Sequence, residues 1–157
     1  MQDNRIYKAI IRTLSYSDVF DYPLLKSELW KFLHIRTQVN KNSFNKVLNQ
    51  MIRARKIEAK NRRHFLIGRK KIVFERLKRE KISMNKLEIA KKAAKILSFI
   101  PTVKLIGVSG SLSLKNAQII DDIDFFIITT HNSVWITRFF VNVLLLLTGY
   151  KRSIQDL

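Results

Sequence analysis

Pro101 constrains this chain more than any other residue, because the spacing of apolar side chains changes there from a helical period to strand-like runs. Before it, Ile6, Ala9, Ile10, Thr13 and Leu14 recur every three or four positions, as do Phe44, Val47, Leu48, Met51 and Ile52. Leu87, Ile89, Ala90, Ala93, Ala94, Leu97 and Ile100 do the same, so each set lines one face of a helix. A proline has no amide to donate and stops the last of these. After it, Val103 to Val108 and Ile123 to Thr129 are short apolar runs of strand character. The expected class is α+β, with a helix-rich first part.

In that first part a helix is expected from about Arg5 to Ser15, then a turn over Tyr16 to Pro23, since the residue before a proline disfavours helix. A two-turn helix starting near Leu25 carries Leu29, Trp30, Phe32 and Leu33. Asn42 or Ser43 is the expected N-cap of a third. Ile57 to Ala59 and His64 to Ile67 bracket the polar run Lys60 to Arg63 and read as a β-hairpin ending at Gly68. Three helices and a hairpin in this order resemble a winged-helix domain over residues 1–68. By that resemblance the third helix and the hairpin would face DNA or RNA, with Lys46, Arg53, Arg55, Lys60, Arg62 and Arg63 on phosphates. Residues 69–100 form a basic helical connector, with helices expected over Arg69 to Lys81 and Asn85 to Ile100.

Charge follows the same division. The net charge is +18, and residues 1–100 hold 25 Lys and Arg against 8 acids, whereas residues 101–157 hold 5 against 4. A polyanion binds such a surface by releasing counterions, without base contacts. The alternative is a set of solvated lysines that touch nothing.

The remaining segment, residues 101–157, carries chemistry. Val103 to Val108 runs into Ser109-Gly110-Ser111, ten residues follow from Leu112 to Asp121, and Asp122-Ile123-Asp124 then opens the second strand. On a strand, positions i and i+2 face the same way, so the two carboxylates project together. Gly110 lets backbone approach a ligand closely, and Ser111 offers a hydroxyl and an amide where a short helix begins. The strand, the Gly-Ser turn and the spaced Asp-x-Asp resemble the nucleotidyltransferase superfamily of DNA polymerase beta, poly(A) polymerases and aminoglycoside nucleotidyltransferases.

That resemblance implies an α/β core with a mixed sheet, Asp122 and Asp124 as catalytic ligands of one or two Mg²⁺ ions, and Gly110 and Ser111 at the phosphates of an NTP. The implied reaction transfers a nucleoside monophosphate to a hydroxyl acceptor that the residues do not name. The family's third carboxylate lies on a later strand. After the helix expected over Val134 to Leu147, Asp156 is the one acid left, and the core reads as truncated. A nucleic-acid-binding regulator with a degenerate transferase domain is the competing reading, and a homo- or hetero-oligomeric docking role a third.

Other chemistries are poorly served. The chain has no cysteine, so disulfides and thiolate metal sites are excluded. Gly107-Val108-Ser109-Gly110-Ser111 lacks the last glycine of a nucleophile elbow, and the Gly-Lys-Ser/Thr of a phosphate loop does not occur. The apolar run Phe139 to Thr148 is shorter than the roughly 20 residues that span a bilayer, which suggests a buried helix; the lack of cysteine and a start, Met-Gln-Asp-Asn-Arg, without the charged-then-apolar plan of a signal peptide read as cytoplasmic.

Overall fold

The computed structural model describes residues 2–35 and 38–149, an α+β arrangement of six helices and two small antiparallel sheets. The chain divides into two compact units, Met1–Leu77 and Lys78–Leu157.

In the first unit, helix α1 (Gln2–Asp18) buries Ile6, Ala9, Ile10 and Leu14, the stripe that its spacing predicts. It runs a turn beyond Ser15 at its C-terminal end because nothing breaks it before Asp18; Ser17 O then accepts the amides of Phe20 and Tyr22. Strand β1 (Leu24–Leu25) leads directly into helix α2 (Lys26–Lys31). Leu25, at the N-cap, has no polar side chain, and the Glu28 carboxylate reaches back 2.7 Å to accept its amide.

Helix α3 (Lys41–Arg53) buries Phe44, Val47, Leu48 and Met51. Its N-cap is Asn40, not Asn42 or Ser43: the Asn40 amide oxygen accepts the Ser43 N–H at 2.7 Å. Asn40 is the residue with extended backbone, so Ser43 becomes the donor that the cap satisfies. Strands β2 (Glu58–Lys60) and β3 (Arg63–Phe65) pair antiparallel, with Lys60 opposite Arg63. Asn61 and Arg62 form the two-residue turn between them, both at positive φ, as a tight hairpin of matched twist requires. Strand β1 adds to the other edge of β3, giving the order β1-β3-β2. Ile6, Ile10, Leu14, Leu29, Phe44, Leu48 and Ile57 make one core, onto which the Trp30 ring packs 5.1 Å from that of Phe44.

His64 is buried in this sheet, and its Nδ1–H donates to Leu24 O at 3.3 Å. Burial holds its pKa below the ordinary 6.5, with Lys26 acting the same way and the Leu24 carbonyl partly opposing them. An unfolded chain therefore takes up this proton more readily than the folded one. Stability from His64 is complete above about pH 6.5 and declines as pH falls from there toward the lower folded value. Urea unfolding followed at pH 7.5 and pH 5.5 is expected to show this loss, and His64→Gln to remove most of the difference.

Residues 69–100 hold one helix, α4 (Lys71–Leu97), rather than two. No glycine or proline interrupts the stretch, and Ser83, which would suit a helix cap, spends its hydroxyl on a loop instead. The first turns of α4 belong to the first unit, where Ile72 and Val73 pack on Phe65 and Arg76 is 3% exposed. The Arg76 guanidinium donates to Pro23 O at 2.7 Å and to Glu28 Oε1 at 2.8 Å, and lies 3.5 Å from the centre of the Tyr22 ring.

In the second unit, strand β4 (Val103–Val108), the single turn α5 (Gly110–Ser113), strand β5 (Phe125–Thr129) and helix α6 (Val134–Leu147) follow the rest of α4. Strands β4 and β5 pair antiparallel, with Val108 opposite Phe125 and Leu105 opposite Ile128. Among the described residues β4 and β5 form a two-stranded antiparallel sheet in place of the expected mixed one; a parallel pair would require a crossover and a further strand. The core of this unit is Ala90, Leu112, Ala117 and Ile123, flanked by Leu87, Val108 and Phe125.

Helix α6 departs from expectation. Thr137 is its buried residue, with a hydroxyl 2.6 Å from that of Thr102, while Trp135 is 79% and Leu147 76% exposed. A two-stranded sheet offers too little surface to cover an apolar helix, so the anticipated buried helix lies open among the described residues. Among these residues no helix is long and apolar enough to cross a membrane.

Candidate active site

The loop between β4 and β5 brings the sequence-predicted residues together. Strand β5 begins at Phe125 rather than Ile123, which leaves Asp122, Ile123 and Asp124 in the extended approach to it. Alternation persists there: Ile123 is buried in the unit core, and Asp122 and Asp124 on either side of it are exposed. Among the described residues neither carboxylate has a hydrogen-bond or ion-pair partner.

Opposite them, the end of β4 turns sharply. Ser109 N–H donates to Asp124 O at 2.9 Å and fastens the two chain segments together. Gly110 follows at φ +63, and a Cβ built on it would stand 2.6 Å from Asp124 Oδ2. The left-handed backbone calls for glycine here, and the absence of a Cβ leaves room for the Asp124 carboxylate. Gly110→Ala is expected to cost about 1–2 kcal/mol from backbone strain and to force the Asp124 side chain to another rotamer. Chemical denaturation reads the first effect, and the chemical shift of the Asp124 carboxyl carbon reads the second.

Ser111 is placed at this turn, but its hydroxyl is already used. It donates to Asp121 Oδ2 at 2.7 Å, and the same oxygen accepts the Gln118 amide at 3.0 Å. Partial burial pushes the Asp121 carboxyl up, while Ser111, the Gln118 amide, Lys86 and Arg79 together outweigh it and hold the pKa below the usual value. Asp121 is thus an ionised fastening group inside the loop, and Ser111 offers an arriving anion its amide more readily than its hydroxyl.

Sequence reasoning missed the residues that shape this loop from below. Ser83 is fully buried on α4, and its Oγ accepts the Ala117 amide at 3.0 Å. Lys86, 5% exposed, donates to Ile119 O at 2.8 Å and also to Asp121 O. With Ala90 these positions form one stripe of α4, spaced three and four apart. The available signal was a serine and a lysine in register with a buried alanine, on a helix whose other lysines face water. A lysine ammonium paired with main-chain carbonyls fixes the loop conformation without engaging the exposed carboxylates of Asp122 and Asp124.

The two exposed carboxylates suit a hard divalent cation that completes its shell with water and phosphate oxygens. Between Pro101 and Gly149 the acids are Asp121, Asp122 and Asp124, and the first is engaged as described. Among the described residues no group of three or more His, Asp or Glu side chains is placed to hold a metal ion. Asp156, the remaining acid after α6, lies outside the described residues.

Of the six basic residues expected to face nucleic acid, Lys60, Arg62 and Arg63 lie on one hairpin, and Lys46, Arg53 and Arg55 lie on or just after α3. Arg62 and Arg63 meet at the hairpin turn, where they line a cavity of the first unit. Arg63 is 9% exposed and donates to Asn61 O at 3.3 Å. Lys46 lies 3.6 Å from Asp3, and both are well exposed. Arg53, Arg55 and Lys60 are exposed at the end of α3 and on β2.

Comparison of the chain with protein-family models, with curated proteins and with solved structures found no match.

Proposed function

We propose that the second unit is the core of a nucleotidyltransferase and that it binds an NTP with Mg²⁺ at Asp122 and Asp124. The observation that carries this reading is the close approach of Gly110 to Asp124, which puts a Cβ-free turn directly beside an exposed carboxylate. Such a turn lets a triphosphate come down onto backbone amides, including that of Ser111, while the neighbouring aspartates share the cation. Bound there, magnesium would neutralise phosphate charge and polarise the phosphorus for attack. An acceptor hydroxyl would form a new P–O bond at the α-phosphorus as the bond to pyrophosphate breaks, and its proton would pass to solvent. The chain's own part is to hold the triphosphate in place, with Lys86 and Asp121 keeping the loop in shape.

The finer fold assignment belongs to the same proposal: a winged helix for the first unit, supported by the order β1-β3-β2 with three helices, and a transferase core for the second. Isothermal titration of ATP, GTP, CTP and UTP, with Mg²⁺ and then with EDTA, tests the nucleotide site. Magnesium-dependent heat with at least one of them is the expected result, and silence with all four would end the proposal.

A second reading keeps the first unit as the working part, a nucleic-acid-binding regulator with a degenerate transferase domain. It is favoured by the concentration of 25 Lys and Arg in residues 1–100. It predicts binding that weakens with salt and survives loss of both aspartates.

A further inference from the structure

The first unit contains a cavity of about 720 Å³ between the start of α2, the start of α3 and the β2–β3 turn. Lys26, Lys41, Arg62 and Arg63 line it, and no acidic residue does. One wall is Trp30, half-buried, with its ring braced against Phe44. A basic lining that includes no acid, together with an aromatic wall, offers the kinds of group that hold a phosphate and a base face.

We propose that this cavity seats one nucleotide of a single-stranded nucleic acid, with its phosphate among the four cations and its base against Trp30. This deepens the second reading above by naming the form of nucleic acid and the place where it binds; it is independent of the aspartate site. A duplex fits the arrangement poorly, because its bases are paired and stacked, and bringing one to Trp30 requires flipping it out. An unpaired strand has its base faces available and tracks basic surface with its phosphates. The size of the cavity falls within the range of sites that enclose a small ligand, enough for one nucleotide and not for a folded helix.

The test uses the full chain carrying Trp135→Phe, which leaves Trp30 as its one tryptophan and alters a side chain that is 79% exposed. A 12-nucleotide oligo(dT) or oligo(U) is expected to quench Trp30 emission on titration, with affinity that falls as salt rises. Lys26→Glu/Lys41→Glu, both exposed positions, is expected to weaken binding at least about tenfold while circular dichroism stays unchanged. A duplex of the same length binding as tightly as the strand would overturn the proposal in favour of groove docking. TMP or UMP quenching Trp30 at the same concentration as the oligonucleotide would overturn it in favour of a free-nucleotide site. Binding that leaves Trp30 emission unchanged, or that ignores the double substitution, would show that the cavity is not the site.

Discussion

Replacing Asp122 and Asp124 together by asparagine is expected to weaken magnesium-dependent NTP binding by about 100-fold or more while leaving the fold intact. Exposed substitutions away from packing change stability by roughly half a kcal/mol at most, and both side chains are exposed and unpartnered among the described residues. The pair therefore separates function from stability cleanly. Titration calorimetry with the best NTP reports the affinity, and thermal unfolding without ligand supplies the control. Equal affinity in the wild type and the double variant would remove the aspartates from any role in binding. A fall in melting temperature alongside lost affinity would point instead to the loop, which is held by Asp121 through Ser111 and the Gln118 amide.

The largest effect on stability is expected from Arg76→Met, about 2–4 kcal/mol. Arg76 is almost fully buried, and its departure leaves Pro23 O and the Glu28 carboxylate short of their donors. Glu28 keeps the Tyr22 hydroxyl at 3.1 Å and the Leu25 amide at 2.7 Å, and part of its side chain meets solvent, so the cost falls below that of a wholly buried pair. Burial raises the Glu28 pKa, but the bond to Arg76, the Leu25 amide and the Tyr22 hydroxyl together pull it below the ordinary 4.5. Stability from this carboxylate is then present above about pH 4.5 and lost as pH falls through the folded value. Urea unfolding should show a gap between wild type and Arg76→Met that is wide at pH 7 and narrows in acid. In a cycle with Glu28→Gln, the double variant should be more stable than the two single losses added together predict.

What the sequence revealed, and what it did not, follows from distance along the chain. Gly110, Asp122 and Asp124 lie within fifteen positions of one another, and alternation about a single apolar residue was enough to place both carboxylates on the open side of Ile123. The hairpin and the stripes of α1 and α3 are equally local, and each has the period of its element. Ser83 and Lys86 reach residues more than thirty positions away, and no periodicity on α4 marks a contact of that range. Burial of α6 was misjudged for a related reason. Apolar composition shows what a helix would gain from being covered, and it carries no information on whether a surface is there to cover it. The bond of the Ser111 hydroxyl to Asp121, ten residues on, is likewise marked by no local period.

Helix α4 has a consequence for how such a chain can be recombined. The natural place to cut by sequence is Gly68, where the hairpin ends, but the part preceding that glycine would lose Ile72, Val73 and Arg76. Phe65 would be uncovered and Glu28 would be left without its guanidinium. A crossover there would join the first part to a stranger's helix and leave Ile72, Val73 and Arg76 of the second part without the residues they pack on. Inheritance of the two units as a pair is therefore favoured by the helix itself, whatever selection acts on their activities.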